Sequence, residues 1–234
     1  YDNISEVDFN NEEKLMLNMV YYIFYNDAPN KVGLTSINEG INKLLSNKTM
    51  IKEVYDILSY NYKHIEFIDK KVDLGFDCPL DLHCDYTTDV IMAAFGYFNE
   101  EKKPAFREGV KYFEGKKTDI FFITLNKSDK DFSPSTLYED YAINEKLFHW
   151  QTQSKTSIQS TTGQRYINHL KTGNKIALFV REYKTRDGLT SPFTYLGTCE
   201  YRSHSGDKPI SFVWKLHEEI PASMINKANK SIII

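Results

Sequence analysis

The spacing of apolar positions changes near Gly115, and the elements it predicts change with it. Before that point apolar residues recur every three or four positions, which places them on one face of a helix. Leu15, Met16, Met19, Val20, Ile23 and Phe24 predict a helix over 12–26 whose stripe faces a core. Pro29, Asn30 and Gly33 punctuate its end. Thr35 or Ser36 offers a cap for a second helix carrying Ile37, Ile41, Leu44 and Leu45. A third begins near Lys48, with Ile51, Val54, Tyr55, Leu58 and Tyr62 on one face. A fourth, capped by Thr87 or Thr88, carries Val90, Ile91, Ala94, Phe95 and Phe98.

Beyond Gly115 the pattern becomes that of strands. TDIFFITL (118–125) and KIALFVREY (175–183) are rich in β-branched and aromatic residues. Segments 193–201 and 210–216 predict two more strands around the turn Ser205-Gly206-Asp207, and Asp187-Gly188 marks another turn. Phe148, Trp150 and Thr152 alternate with His149, Gln151 and Gln153, which predicts a strand with the first set inward and the second outward. A short helix is expected over 138–146, and another near the end, over 221–234, before a strand-like terminus. The expected fold is α+β: a helical domain over 1–115, then a mainly antiparallel β-barrel domain over 116–234.

Charge sharpens that division. The whole chain carries −3, yet residues 1–115 hold 12 Lys and Arg against 20 Asp and Glu, a net of −8. Residues 116–234 hold 17 against 12, a net of +5. Such an asymmetry implies different partners for the two halves, with a polyanion suited to the second. The apolar runs are far shorter than the roughly 20 residues of a membrane span. Three cysteines, Cys78, Cys84 and Cys199, provide no disulfide framework and favour a reducing cytoplasm. CPLDLHC (78–84) does not match the paired spacing of a zinc site, so no metal is expected. The polar opening segment suits a fragment of a longer protein.

Phosphate-binding loops of the GxxxxGK[ST] type, GxGxxG, HExxH and GxSxG are all missing from the sequence, so a binding role is favoured over catalysis. The densest chemistry lies in SPSTLYEDYAINEKLFHWQTQSKTS (133–157), where rings, short acceptors and amides suit a planar polar ligand. Tyr138 and Tyr141 are three apart with Asp140 between them. Ser154, Lys155, Thr156, Gln164 and Arg165 are candidate phosphate donors, and Arg181, Lys184, Arg186 and Arg202 could line a backbone-tracking groove.

FFITLNKSDKDFSPSTLYEDYAINEKLFHWQTQSKTS, TGQRYINH, KIALFVREYK, PFTYLGTCEY and KPISFVWKL together resemble the C-terminal domain of SauUSI-like, ATP-dependent, modification-directed (Type IV) restriction enzymes. The resemblance spans roughly 75–222. It implies that 1–115 is a helical coupler and 116–234 a target-recognition domain with a fold similar to SRA (PUA-like) domains. It further implies a bacterial cytoplasmic protein that reads 5-methylcytosine or 5-hydroxymethylcytosine in duplex DNA by base flipping. The nuclease and ATPase, with their ATP and divalent metal, would lie upstream in the same chain, leaving this part without a cofactor or catalytic centre.

On that reading Tyr138 or Tyr141 with Trp150 shapes the base pocket, and Asp140 accepts from the cytosine amine. His149, Gln151, Gln153 and Ser154 contact base edges, while Lys155, Thr156, Gln164, Arg165, Arg181, Lys184 and Arg186 hold the DNA backbone. Two other readings stand beside it: a protein-interaction module anchored by the tyrosines and Trp150, and a catalytic domain using His149, Asp140 and Gln151.

Overall fold

The computed structural model describes residues 3–65, 70–126 and 140–228 of the 234. It is α+β, with helices at the N-terminus followed by a mainly antiparallel sheet. Two units divide it: Tyr1–Lys71 with Phe76–Asp81 and Thr87–Phe106, and Val72–Gly75 with Leu82–Tyr86 and Arg107–Ile234.

The first unit holds α1 (Asn11–Phe24), α2 (Ile37–Ser46), α3 (Lys48–Lys63) and, after the short strand β1 (Asp85–Tyr86) of the second unit, α4 (Thr88–Ala94). Each helix starts where a short polar side chain can satisfy an orphan N–H. Asn10 accepts from Glu13 N while the Glu13 carboxylate accepts from Asn10 N, a reciprocal capping box. Ser36 accepts from Glu39 N and Thr87 from Val90 N. The face of α1 differs from the expectation. Met16, Val20, Ile23 and Phe24 are exposed, and Tyr21 and Tyr22 are buried in their place. The two phenols can enter the core because both hydroxyls find carbonyls, Tyr21 donating to Asp27 O at 3.0 Å and Tyr22 to Asn99 O at 2.7 Å. Gly40 of α2 makes room for the Tyr21 ring, since a Cβ there would lie 2.8 Å from it. From Val90 to Ala94, α4 is buried throughout.

The second unit is built on an eight-stranded sheet. In chain order β1 is followed by β2 (Val110–Phe113), β3 (Thr118–Asn126), β4 (Tyr141–Ala142), β5 (Leu147–Gln151), α5 (Thr161–Ile167), α6 (His169–Thr172) and β6 (Lys175–Tyr183). Then come the small hairpin β7 (Thr185–Arg186) and β8 (Leu189–Thr190), the long β9 (Phe193–Ser205), β10 (Ser211–Leu216) and α7 (Ala222–Ala228). The hydrogen-bonded path runs β2-β3-β6-β9-β10-β5-β4, with β1 on β9, and its two ends are β2 and β4. Every pairing is antiparallel except β3 with β6. The core packs Phe121, Ile123, Phe148, Tyr166, Leu178, Val180, Phe212 and Trp214. Asp187 and Gly188 both take positive φ (52° and 80°), the mirror-image turn that suits the twist of a two-residue hairpin.

One local expectation in this unit differs from what folds. Among the described residues of 138–146, the backbone forms β4 and a turn in place of a helix: Tyr141 and Ala142 pair with His149 and Phe148, and Asn144 Oδ1 accepts from Lys146 N and Leu147 N. Within the segment of candidate phosphate donors, residues 161–167 form α5, capped by Ser160, which accepts from Gly163 N. Where Val213/Trp214 pair with Ser203/Tyr201 a bulge breaks the β9–β10 register, and Tyr201 N donates to His169 Nε2.

Candidate functional site

The strand β5 alternates as its sequence requires, with Phe148 and Trp150 buried and Leu147, His149 and Gln151 half-buried. Thr152 continues the inward face and locks the strand end to Ile210, donating its N–H to Ile210 O and accepting from Ile210 N through Oγ1. Asp140, buried at the start of β4, accepts from Gln151 N at 3.0 Å. Gln151 Nε2 donates to Ser211 Oγ, and the His149 and Tyr141 rings stack at 4.7 Å across β4 and β5. Tyr138 lies outside the described residues.

Beside the inward face of β5 is a cavity of about 330 Å³, within the roughly 300–1,000 Å³ typical of small-ligand sites. Three elements wall it. The antiparallel β2–β3 pair sets Tyr112 opposite Asp119. From β5 and the turn after it come Trp150, Thr152, Gln153 and Thr156, and from α5 come Thr162, Arg165 and Tyr166. Glu108, Val110 and Lys111 complete the lining. Gly163 lets the turn at 157–158 fold back against α5, since a Cβ there would lie 2.2 Å from Ser157 O.

The floor is a charge pair. Arg165 donates through Nε to Asp119 Oδ2 at 2.8 Å and through Nη2 to Oδ1 at 2.9 Å, the planar two-bond fork that guanidinium and carboxylate favour. The Asp119 side chain is 1% exposed and that of Arg165 is 19% exposed. Burial raises the Asp119 carboxyl above its ordinary range, and the two bonds from Arg165 offset part of the rise. An ionised carboxylate has about four acceptor positions, and a guanidinium five N–H donors. The pair therefore keeps acceptor and donor capacity for a ligand. The aromatic walls are braced from behind or beside: Trp150 stacks on Phe121 at 4.2 Å, Tyr166 meets Trp150 edge-on at 5.7 Å, and the Arg165 guanidinium lies 4.0 Å from the Tyr112 ring centroid.

The sequence-predicted residues therefore fall in different places. Trp150, Gln153, Thr156 and Arg165 meet at the cavity, whereas Asp140, Tyr141, His149 and Gln151 are not among its lining. Ser154 and Lys155 are exposed in the turn after β5. Gln164 braces α5, with Nε2 donating to Ile158 O and Oε1 accepting from Asn168 Nδ2. Arg181 donates to Thr124 Oγ1 and Ser191 O and lies over the Phe193 ring. Lys184 and Arg186 belong to the arm beyond β6. Asp119 faces Ile176 on the parallel strand, and Tyr183 lies seven positions beyond Ile176. At ~3.3 Å per residue, that puts the arm about 23 Å along the strand from the cavity. Sequence reasoning passed over Asp119 and Tyr112. The available signal was a charged residue inside the apolar run TDIFFITL, which demands a buried partner.

No group of three or more His, Cys, Asp or Glu among the described residues is placed to hold a metal. Nor is any described helix long and apolar enough to cross a membrane.

An α+β unit with a polar-floored aromatic cavity is the class these features define. The chain belongs to the family described as Domain of unknown function (DUF3427), whose model matches residues 80–228. No curated protein matches it. Among solved structures it is similar to Arabidopsis thaliana SUVH6, crystallised in complex with SAM, at 11% identity and a TM-score of 0.41 over 92% of this chain. The chain spans 40% of that structure's length.

Proposed function

We propose that the second unit reads modified cytosine in duplex DNA, taking the flipped base into the Asp119–Arg165 cavity. The observation that carries this reading is a buried carboxylate paired with a half-buried guanidinium, flooring an aromatic-walled cavity in the basic half of the chain. The polar edge of cytosine presents an amine donor beside a ring-nitrogen acceptor. Asp119 supplies the complementary acceptor and Arg165 the complementary donor. Unpairing the base costs a few kcal/mol, and stacking against Trp150 or Tyr112 returns about 1–3 kcal/mol, so affinity also depends on these edge bonds. Thr152, Thr156, Thr162 and Gln153 give the remaining wall hydroxyls and an amide that can hydrogen-bond a polar substituent.

In this reading the chain is the coupler and target-recognition part of a SauUSI-like Type IV restriction enzyme. ATP hydrolysis and cleavage then belong to upstream domains, and Asp140 serves as a brace for β5 rather than as the base acceptor. A gel shift of the intact chain on methylated, hydroxymethylated and plain duplexes of one sequence tests it. Tighter binding of a modified duplex is expected, and equal binding of all three refutes the reading.

A further inference from the structure

We infer that the turns 153–158 and 205–209 form one phosphate seat at the rim of the cavity, where Lys155 and Lys208 hold the DNA backbone beside the flipped nucleotide. The inference rests on the proposed reading of the cavity as a base pocket. It adds Lys208 to the contacts and makes Asp207 a positioning residue.

The fold brings the two turns together. One follows β5 and the other precedes β10, and the pairing of Gln151 with Ser211 puts both at the same end of the sheet. Ile158 N then donates to Asp207 Oδ1 at 2.8 Å, a bond from one turn to the other. Gln153 and Thr156 line the cavity, so Lys155 between them stands at its rim. Asp207 is the single acid in the two turns, and its carboxylate is engaged by that backbone N–H. Lys155 and Lys208 are exposed, and among the described residues neither is paired with an acid. Lys146, Lys175 and Lys215 of the same unit are paired, with Glu219, Asp73 and Glu200. Lys208 also takes a φ of 58°, a left-handed conformation that glycine or asparagine fills at less cost. A long cationic side chain held there matches the strained residues that gather at binding sites. The partner follows from the cavity. A base enters it only with its sugar and phosphates left at the rim, and an ammonium is a point charge suited to a phosphate.

Fluorescence anisotropy of the intact chain over a salt series is the test, on plain and methylated duplexes of one sequence. Lys155→Ala and Lys208→Ala should each weaken both duplexes about threefold or more, lower the salt slope by about 1, and leave the ratio between duplexes unchanged. Lys146→Ala removes the same charge at the opposite end of β5 and should change neither affinity. Asp207→Ala removes a negative charge, so a bystander carboxylate predicts tighter binding, whereas loss of the bond to Ile158 N predicts weaker binding. Asp207→Asn keeps an acceptor at that place and should restore wild-type affinity or better. A Lys208→Ala chain that binds both duplexes as wild type does overturns the inference, and so does an Asp207→Ala chain that binds more tightly. Equal binding of the two duplexes by wild type refutes the base reading instead, and a wild-type chain that binds neither duplex overturns both.

Discussion

Asp119 is the second residue of a strand in which Ile120, Phe121 and Ile123 are fully or almost fully buried, and a lone carboxylate there would cost several kcal/mol. Arg165, 46 positions later, neutralises it, and the same pairing fixes the floor of the cavity. Asp119→Asn should therefore lose about 1–3 kcal/mol of stability, the cost of a buried donor losing its charged partner, moderated because Arg165 retains access to water. Urea unfolding measures it. His169 is the second buried titratable group to consider. Its Nε2 accepts from Tyr201 N at 2.9 Å, so the proton resides on Nδ1, which donates to Asn174 O at 3.1 Å. Burial lowers its pKa. The unfolded chain thus takes up the proton first, and the stability due to neutral His169 is present above its unfolded value of about 6.5 and is lost as pH falls toward the folded one. The advantage of wild type over His169→Gln in urea should shrink between pH of about 7.5 and about 5.5. An unchanged advantage would show that the imidazole does not titrate in this setting.

At the scale of elements, α5 has the least slack. With 2.2 Å between a hypothetical Gly163 Cβ and the Ser157 carbonyl, Gly163→Ala must displace backbone, and a loss of about 1–3 kcal/mol is expected by thermal or urea unfolding. The strands were the legible part of the sequence. KIALFVREY forms β6 residue for residue, and TDIFFITL forms β3 with one residue added, because fully buried strands leave an unbroken β-branched and aromatic run. The helix α5 was not legible: Thr161-Thr162-Gly163 has poor intrinsic propensity, and the helix exists through its Ser160 cap and the burial of Tyr166. On α1 the periodicity was readable but the buried face was not. The Met–Val–Ile–Phe stripe looks more apolar than the tyrosines, yet carbonyl partners near Asp27 and Asn99 let the larger rings take the core. Likewise, Trp150, a candidate read from its own segment, lines the cavity. Its partners Asp119 and Tyr112 come from a distant hairpin, and only the sheet register brings them together.

For the whole molecule, the proposed reading assigns attraction to DNA to the net charge of +5 beyond residue 115, and choice to the cavity. The arm carrying Lys184 and Arg186 lies about 23 Å along the strand from the cavity, so on the proposed reading its cations act on the DNA backbone and not on the base. Arg186→Ala should weaken modified and plain duplexes equally, with the salt slope reduced by about 1. A change in the preference between duplexes would place that arm at the base. The most direct measurement of the central claim is the ratio of Kd values for plain and methylated duplexes, by fluorescence anisotropy, for wild type, Asp119→Asn and Asp140→Asn, each confirmed folded by circular dichroism. Wild type and Asp140→Asn should prefer the methylated duplex, and Asp119→Asn should bind both with similar affinity. A folded Asp119→Asn chain that keeps the wild-type ratio would contradict the assignment of the cavity as the base pocket.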